Sequence, residues 1–413
     1  MASPVSGNSK RRRRKMSFDV LCSRPETVRA LKEMGIVTPT PIQKKAIPLI
    51  MSGKDVIGKS KTGSGKTAAF GVPVLEKIVP GEGLYALIVT PTRELADQIS
   101  KELKKFGRYL NSSIVSVYGG VSINSQIEEI SEADIVVGTP GRLLDHLRRR
   151  TLDLSQLKCF ALDEADKLVE MGFIEDIKKM LDHTPKNRQI LLFGATISRE
   201  IDQLKKRYMN HPIVAQAELQ VTEKYLKQYY YEVITNEKFS LLVHLLKKDR
   251  IERAIVFCST RANVELVAKN LRYHGIKNGM LHGKIDQGKR LRVIENFHKG
   301  RYDFLVASPV AARGLDIKDV THILNYDLSQ DPQEYMHRIG RTARAGGSGE
   351  AITLLSPEDH MVFRNICKSH KVKVKALPQE EYPRLKFKKE NRSFESRRRH
   401  NSTFKQHVKH IKA

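Results

Sequence analysis

The sequence predicts an α/β protein of two domains, each a mostly parallel sheet flanked by helices, with a basic tail at either end. Three observations predict this fold. The chain has 413 residues, and a domain usually holds roughly 100–200 residues. Short apolar runs alternate with helical patterns in two successive regions, as in βαβ units. A phosphate-binding loop opens the first region, and the second region has none.

The composition excludes several classes of protein. Hydrophobic residues make up 40% of the chain, yet no apolar run approaches the roughly 20 residues of a membrane-spanning helix. The start lacks the apolar segment of a secretory signal. The four cysteines lie far apart and form no C-x-x-C pair, which is typical of reduced thiols. We therefore expect a cytoplasmic protein, or a nuclear or nucleolar one if the source is eukaryotic.

Positive charge is concentrated at both ends of the chain. Lys10–Lys15 supplies six consecutive positive charges, and residues 371–413 hold 14 Lys/Arg and 4 Asp/Glu, within a total net charge of +27. This excess predicts a polyanionic partner, with nucleic acid as the first candidate. A solvated tail, or a nuclear-localisation signal at Lys10–Lys15, is the alternative. Residues 1–15 and 371–413 are predicted to be disordered tails, the second carrying aromatic residues suited to base stacking (Tyr382, Phe387, Phe394 and Phe404).

The first domain is predicted over residues 16–217. A helical stretch follows Phe18 and runs through Leu31. Two prolines exclude helix from the segment Gly35–Gln43 and make it a rigid loop. Gln43 stands at the entry of the next helix, where its amide either caps that helix or reads a base through a donor and an acceptor.

A phosphate-binding loop follows the apolar run Asp55–Gly58 and precedes a helical pattern. Its glycines let successive N–H groups turn toward an anion, and the helix N-terminus adds positive charge. Lys66 is predicted to reach the β- and γ-phosphates, and the Thr67 hydroxyl to hold Mg²⁺. A plain glycine-rich turn is the alternative, because Ser60 replaces the first glycine of the usual pattern. The loop comprises Ser60, Lys61, Thr62, Gly63, Ser64, Gly65, Lys66 and Thr67.

Polar loops follow the remaining strands of this domain. Strands are predicted at Ala86–Val89, Ile114–Val117, Ile135–Val137, Phe160–Leu162 and Ile190–Phe193. Ligands of such sheets bind beyond the carboxyl ends of the strands. The loops found there are Thr90–Arg93, Gly119–Gly120, Thr139–Arg142, Asp163–Asp166 and Gly194–Thr196.

A linker is predicted at 218–227 and a second alternating domain at 228–370. Its strands are expected at Tyr229–Val233, Ala254–Phe257, Gly279–Leu281, Phe304–Ala307, His322–Leu324 and Ala351–Leu354. The segment Phe257–Arg261 resembles Val89–Arg93, since each is a strand that ends in Thr-Arg. This similarity indicates two related folds side by side.

Two clusters suggest phosphate chemistry. Asp163 follows a strand beside the phosphate loop, where an acid can hold Mg²⁺, and Glu164 could orient and deprotonate a water. The alternative is an acidic cluster that caps a helix. In the second domain, Arg341 and Arg344 would share one face of a helix and could clamp a γ-phosphate, although a solvated basic face is the alternative. The site would then be complete only when the domains close, so that ATP favours the closed state.

The ordered set of motifs resembles the DEAD-box RNA helicases of superfamily two over about residues 16–360. In the first domain it comprises Phe18 with the Gln43 loop, the phosphate loop, Pro91–Ala96, Gly119–Gly120, Thr139–Arg142 and Asp163–Asp166. In the second domain it comprises Phe257–Arg261, His282–Gly283, Gln287 with Arg290, Ala311–Asp316 and His337–Arg344.

The resemblance implies two tandem RecA-like domains, with ATP and Mg²⁺ between them and RNA across both. It implies that Phe18, Gln43, the phosphate loop, Gly314 and Asp316 bind ATP, and that Glu164, Lys66, Asp163, His337, Arg341 and Arg344 are catalytic. Sequence-independent RNA backbone contacts are implied for Arg93, Gly120, Thr139, Gly141, Arg142, Thr260, Gly283, Arg290 and Ser308. Coupling is assigned to Asp166, Gly194, Ala195 and Thr196.

The implied activity is local unwinding of RNA by a monomer, with ribosomal RNA as a target that the family favours. A nucleotide-gated RNA clamp or annealing chaperone, or a DNA-directed helicase, is the alternative. Five residues depart from the family pattern: Ile36, Ser60, Gly194, Pro309 and Ala343. Gly194 lacks a serine hydroxyl, Pro309 lacks a carboxylate, and Ala343 replaces a glycine. These three changes bear on coupling between hydrolysis and unwinding, and ATP binding does not depend on them.

Overall fold

The computed structural model describes residues 16–60, 63–217, 226–248, 251–312, 317, 320–343, 348–370 and 372–388. These residues form two compact units. The first unit holds the described residues up to about Leu226, and the second holds most of those that follow. The predicted tail 1–15 and residues 389–413 lie outside the described residues. No helix in the described part of the chain is both long and apolar enough to cross a membrane.

The first unit carries a seven-stranded sheet in the order β3-β4-β2-β5-β6-β1-β7. Its strands are β1 (Val56–Lys59), β2 (Ala86–Val89), β3 (Ile114–Val117), β4 (Ile135–Gly138), β5 (Cys159–Leu162), β6 (Gln189–Gly194) and β7 (Ile213–Gln216). Its helices are α1 (Phe18–Leu21), α2 (Pro25–Glu33), α3 (Pro41–Met51), α4 (Lys66–Lys77), α5 (Arg93–Phe106), α6 (Ile123–Ser131), α7 (Pro140–Arg148), α8 (Ala165–Glu170), α9 (Ile174–Asp182) and α10 (Arg199–Tyr208).

Helices cover both faces of this sheet. Along β2, Ala86 and Ile88 pack into one apolar cluster, while Leu87 and Val89 pack into another. All four residues are fully buried. A strand buried on both faces is apolar at every position, which is why the predicted runs mark the central strands correctly.

The second unit carries a seven-stranded sheet in the order β10-β11-β9-β12-β13-β8-β14. Its strands are β8 (Leu226–Glu232), β9 (Ala254–Phe257), β10 (Asn278–Leu281), β11 (Phe304–Ala307), β12 (His322–Asn325), β13 (Gly349–Leu355) and β14 (Lys375–Ala376). Its helices are α11 (Lys238–Leu246), α12 (Arg261–Tyr273), α13 (Gln287–His298), α14 (Pro309–Ala312), α15 (Pro332–Ile339) and α16 (His360–His370), with a 3₁₀ turn at Pro357–Asp359.

The two sheets have the same strand order. Adding seven to each strand number of the first sheet gives the order of the second. Both sheets are parallel, as the pairs β1–β6 and β9–β12 illustrate. The two related α/β folds expected from the repeated Thr-Arg strand ends are therefore confirmed.

Residues 372–388, here called the C-terminal strap, pack against the second unit. β14 pairs with β8, and Tyr382, Leu385 and Phe387 pack against the core around Phe239. The Phe239 and Phe387 ring centroids lie 4.9 Å apart. Tyr382 and Phe387 were expected among the stacking aromatics of a disordered tail, and that expectation is wrong for these two residues because their rings complete an apolar core.

Polar contacts also fasten the strap. The Glu380 carboxylate accepts hydrogen bonds from Tyr231, His244 and Lys248. The Leu385 N–H donates to Ser240 Oγ at 2.9 Å.

The second unit begins slightly earlier than predicted, since Leu226 and Lys227 belong to β8 rather than to the predicted linker.

Candidate active site

The phosphate loop joins β1 to α4. Gly63 and Gly65 have φ values of +77° and +86°, a left-handed conformation that glycine adopts without a Cβ penalty. α4 begins at Lys66, so the helix N-terminus faces the loop as the sequence predicts. Lys61 and Thr62 lie outside the described residues.

Internal hydrogen bonds hold this loop. The Ser64 hydroxyl donates to Ser60 Oγ at 2.8 Å. Lys66 Nζ donates to the Ser60 carbonyl at 3.2 Å, and the Ser60 N–H donates to the Gly194 carbonyl at 3.1 Å. Ser60 is fully buried, and its hydroxyl is paired within the loop. The loop therefore accommodates serine at a position where the usual pattern has another residue.

Gln43 connects helix α3 to the phosphate loop. Its Oε1 accepts from the Thr40 N–H at 2.8 Å, and its Nε2 donates to the Gly65 carbonyl at 3.0 Å. The Thr40 hydroxyl donates to the Ser64 carbonyl at 2.9 Å. Gln43 thus caps a helix, which was one of its two expected roles. Recognition of adenine by Gln43 stays a prediction.

The segment around Phe18 is fastened to α4 by a residue that the sequence analysis did not single out. Phe18 is 2% exposed and packs in the first core. Glu76 Oε2 accepts from the Ser23 N–H at 2.6 Å, from the Ser23 hydroxyl at 2.6 Å and from the Arg24 N–H at 2.9 Å. The helix that begins at the phosphate loop therefore also holds the N-terminal segment in place.

Asp163 and Glu164 follow β5 and are both buried. Burial raises the pKa of Asp163 to about 6, against the opposing charge of Lys66. Burial also favours the neutral form of Glu164, but the charges of Lys167 and Lys66 outweigh it and hold the pKa of Glu164 at about 2. The two adjacent acids therefore have different environments beside the phosphate loop.

Lys167 is a site residue that the sequence analysis missed. Its Nζ lies 2.6 Å from Glu164 Oε2, and the two side chains are only 5% and 4% exposed. A Glu–Lys pair three residues apart is usually a surface feature of a helix. The sequence carries no signal that this particular pair is buried.

Asp166 joins the two motifs expected to couple hydrolysis to unwinding. Its Oδ2 accepts from the Ala195 N–H at 2.9 Å, from the Thr196 N–H at 3.0 Å and from the Thr196 hydroxyl at 3.3 Å. A Cβ placed on Gly194 would meet Asp166 Oδ1 at 3.4 Å, an ordinary contact. The structure therefore brings all four predicted coupling residues together, and the backbone does not require glycine at 194.

The expected RNA-binding residues of the first unit lie at the carboxyl ends of neighbouring strands. The Arg93 guanidinium lies so close to Gly120 that a Cβ there would clash with Arg93 Nη1. Arg142 Nη1 donates to the Val121 carbonyl at 3.2 Å. Thr139 precedes α7 and is half-buried, and Gly141 is exposed. Arg93, Gly120 and Arg142 are thereby brought together at one loop.

Gln126 orders this loop and was not predicted. It is 3% exposed, its Nε2 donates to the Tyr118 carbonyl at 3.1 Å, and its Oε1 accepts from Arg142 Nη1 at 2.8 Å. His146 Nε2 lies 3.2 Å from the same Oε1. Burial lowers the pKa of His146. The Arg142 side chain therefore has a fixed position in the first unit.

In the second unit, the expected RNA contacts follow three adjacent strands. Thr260 caps α12 by accepting from the Asn263 N–H at 3.1 Å. Gly283 is exposed, and a Cβ there would meet no atom within 4 Å. The Ser308 N–H donates to the Leu281 carbonyl at 2.9 Å, and Arg290 Nη2 donates to the Ala311 carbonyl at 2.8 Å. Pro309 is the first residue of α14, where the missing N–H breaks no helical bond.

The arginine motif, His337–Arg344, has a different secondary structure from the one predicted. Helix α15 ends at Ile339, so Arg341 does not lie on a helix, and the prediction of a shared helical face with Arg344 is wrong for it. Arg341 is 3% exposed, and His337 is half-buried on α15. Ala343 has a φ of +53°. Arg344, Gly314 and Asp316 lie outside the described residues.

Two family models match the chain. A DEAD/DEAH box helicase model matches residues 40–204. A helicase conserved C-terminal domain model matches residues 237–346. The first match covers the phosphate loop and the Asp163–Asp166 motif, and the second covers the arginine motif.

Curated relatives are similar over most of the chain. The chain is 43% identical over 364 residues to the DEAD-box ATP-dependent RNA helicase CshA of Geobacillus kaustophilus, an alignment that covers 87% of this chain and 78% of the relative. It is 44% identical over 365 residues to CshA of Streptococcus pneumoniae, covering 88% of this chain and 70% of the relative.

Solved structures share the fold. The structure of Dbp5 of S. cerevisiae bound to RNA and ADP BeF3 is 30% identical, with a TM-score of 0.80, and covers 88% of this chain and 95% of that one. The structure of Mss116p bound to ssRNA and AMP-PNP is 27% identical, with a TM-score of 0.78, and covers 92% of this chain and 82% of that one.

Proposed function

The chain belongs to the DEAD-box ATP-dependent RNA helicases, and from this premise we propose that residues of both units bind ATP and RNA and that the protein unwinds or remodels short, structured RNA as ATP is hydrolysed. The observation that carries the proposal is the Asp166 network. Asp166 belongs to the acidic motif beside the phosphate loop, and its carboxylate holds the Ala195–Thr196 backbone. A change at the nucleotide can therefore reach a second loop through one side chain.

In this proposal, the phosphate loop binds the phosphates of ATP and Lys66 contacts the β- and γ-phosphates. Asp163 offers a buried carboxylate, and Thr67 offers a hydroxyl in the first turn of α4. These hard oxygen atoms are the donors that Mg²⁺ prefers, so the residues fit that ion. A bound Mg²⁺ would neutralise phosphate charge.

Glu164 is proposed to orient the attacking water and accept its proton. Its carboxylate lies at the end of β5, next to Asp163, and is ionised at neutral pH because its pKa is about 2. Arg341, Arg344 and His337 are proposed to stabilise the charge that develops on the transferred phosphate. Phe18, Gln43, Gly314 and Asp316 are proposed to bind the adenosine portion.

RNA is proposed to lie across the C-terminal ends of the strands in both sheets. Backbone N–H groups and arginines at such ends contact phosphates, which carry no sequence information, so binding would be sequence-independent. The groups are Arg93, Gly120, Thr139, Gly141 and Arg142 in the first unit and Thr260, Gly283, Arg290 and Ser308 in the second. We propose that a monomer suffices, because one chain supplies all of them.

A second candidate is a nucleotide-gated RNA clamp. It is favoured by Gly194, which places no hydroxyl beside the Asp166 carboxylate even though a side chain would fit there. In a clamp, hydrolysis would time release without much strand separation. ATPase assays with RNA, with DNA and without polymer, followed by strand displacement, distinguish helicase, clamp and DNA-directed enzyme.

The central test compares Glu164→Gln with Lys66→Ala. Glu164→Gln removes the basic carboxylate, so ATP turnover should fall by about 10²–10⁴-fold while ATP still binds. Release of RNA waits on hydrolysis, so this variant should hold RNA longer with ATP than the parent does. Lys66→Ala should bind ATP weakly and show no ATP-dependent retention. If both variants release RNA equally fast, Glu164 is needed for domain closure or nucleotide binding and is not the general base.

A further inference from the structure

The buried pair of Glu164 and Lys167 differs from a second Glu–Lys pair of the same spacing, Glu175 and Lys178. Lys178 Nζ lies 2.7 Å from Glu175 Oε1, with side chains 25% and 66% exposed. Lys167 Nζ lies 2.6 Å from Glu164 Oε2, with side chains 5% and 4% exposed. The two pairs share residue types and spacing but differ in burial, and Glu164 precedes helix α8 whereas Glu175 lies within helix α9.

Burial makes the inner pair costly. A lysine is almost never fully buried without a partner, and removing two charges from water costs several kcal/mol per ion, which their attraction repays only in good geometry. Helix stability does not account for the pair, because an exposed pair three residues apart contributes only about 0.2–0.5 kcal/mol. Because Lys167 contacts Glu164 in the candidate active site, we consider a role for Lys167 in hydrolysis.

The backbone and Lys167 together fix the Glu164 carboxylate. Glu164 has a φ of +51°, a left-handed conformation that is rare for a residue with a side chain. This conformation sets the direction in which the side chain leaves the backbone. Lys167 Nζ donates to Oε2 at 2.6 Å, and this bond to one oxygen restricts the rotation of the carboxylate.

We infer that Lys167 is a positioning residue for ATP hydrolysis: it holds one oxygen of Glu164 so that the other faces the attacking water. The inference rests on the proposed role of Glu164 as general base. It concerns orientation, so the loss of Lys167 should lower the rate of hydrolysis and leave the affinity for ATP unchanged. A small misplacement of a catalytic group can cost about 10²-fold in rate.

The experiment measures RNA-stimulated ATP turnover, ATP affinity and the RNA dissociation time with ATP. Lys167→Met removes the ammonium and keeps a similar shape, and Lys167→Gln is a second neutral variant. Both should lower kcat by about 10–100-fold with KM unchanged and should hold RNA longer with ATP. Lys167→Arg should restore most of the rate. Lys178→Met removes the exposed pair of matching spacing and should behave like the parent.

A double variant that combines Lys167→Met with Glu164→Gln separates this inference from the proposed role of Glu164. If Lys167 acts through Glu164, Lys167→Met should cost nothing further in the Glu164→Gln background, because the carboxylate is already gone. An equal further loss there would overturn the inference, as would a normal kcat in Lys167→Met. Loss of ATP binding or folding in both neutral variants would also overturn it, since Lys167 would then be structural. Normal turnover in Glu164→Gln itself would instead refute the general base.

Discussion

The two sheets have one strand order and different chemistry at the same positions. β2 and β9 occupy equivalent places, and the threonine after each caps the next helix: Thr92 accepts from the Leu95 N–H at 3.3 Å, and Thr260 accepts from the Asn263 N–H at 3.1 Å. β1 leads to the phosphate loop, whereas its equivalent β8 leads to Val233, whose N–H bonds to the Leu355 carbonyl. The framework is thus shared, and the loops determine what each unit binds.

The acids after β5 and β12 show the difference most clearly. Asp163 and Glu164 follow β5 and interact with Lys66 and Lys167. Asp327 follows the equivalent strand β12, and its Oδ2 accepts from the Ser259 N–H at 2.9 Å and from Asn263 Nδ2 at 3.0 Å. The acids after β5 are therefore proposed to serve ATP hydrolysis, whereas the acid after the equivalent strand β12 holds a loop.

Asp163→Ala and Asp327→Ala should affect different properties, the first ATP turnover and the second stability. Asp163→Ala should lower ATP turnover by about 10²–10³-fold, because metal-ion charge stabilisation contributes several kcal/mol. Asp327→Ala should keep turnover at saturating RNA. Its loop should loosen, with stability lower by about 1–3 kcal/mol. Steady-state ATPase assays and urea denaturation measure the two effects. Equal losses of turnover would mean that the loop after β12 also contributes to hydrolysis.

The sheet edges differ as well, and truncation tests that difference. β7 closes the first sheet, whereas β14 of the C-terminal strap closes the second. Removal of residues 389–413, which carry 8 Lys/Arg and 2 Asp/Glu, should weaken RNA binding and flatten its salt dependence by about 0.7 in log–log slope per lost phosphate contact. The melting temperature should not change.

A cut at Lys371 is the contrasting truncation. It removes the strap as well as the tail and exposes the core around Phe239 that Tyr382, Leu385 and Phe387 cover. The melting temperature of this variant should fall by several degrees, since these three side chains are partly buried against that core and burial stabilises by about 25 cal/mol per Å² of apolar surface. If the cut after Lys388 also lowers it, the tail has a structural role in the second unit.

The sequence predicted the central strands because they are buried on both faces. It missed β7, since Ile213 and Val214 are exposed at an edge, and β14, which has two residues and no pattern. Tyr382 and Phe387 resemble tail aromatics because lysines and arginines surround them in sequence, and only the fold places them against a core. The burial of Lys167 depends likewise on tertiary packing, which local spacing does not encode. The end of α15 at Ile339 has a local signal, since Gly340 follows it and glycine disfavours helix.

Substitution of Gly194 tests whether a hydroxyl in the loop after β6 improves the coupling of hydrolysis to strand displacement. A serine there would place a hydroxyl beside Asp166 without a clash, since a Cβ at this position would meet Asp166 Oδ1 at 3.4 Å. Gly194→Ser should raise the strand displacement achieved per ATP hydrolysed by a few-fold, roughly the effect of one hydrogen bond of about 1 kcal/mol. Gly194→Ala adds the carbon without the hydroxyl and is the matched control. Equal ratios in all three proteins would mean that this loop does not limit coupling.

Glu164 and Ala343 are two of the five described non-glycine residues with a positive φ. The effect expected from substitution at Ala343 is the smallest considered. Glu164 has a φ of +51° and carries the carboxylate proposed as the general base, whereas Ala343 has a φ of +53° and carries only a methyl group. The conformation costs a residue with a Cβ about 1–2 kcal/mol relative to glycine. Ala343→Gly relieves that strain, but it also loses a buried methyl group and gains unfolded-state entropy.

Ala268→Gly in α12 controls for those losses, because Ala268 is also buried and has ordinary helical geometry. Ala343→Gly should therefore destabilise the chain by at least about 1 kcal/mol less than Ala268→Gly does in urea denaturation. Equal destabilisation by the two substitutions would show that Ala343 is not strained. In that case, the alanine between Arg341 and Arg344 would cost the protein nothing compared with glycine.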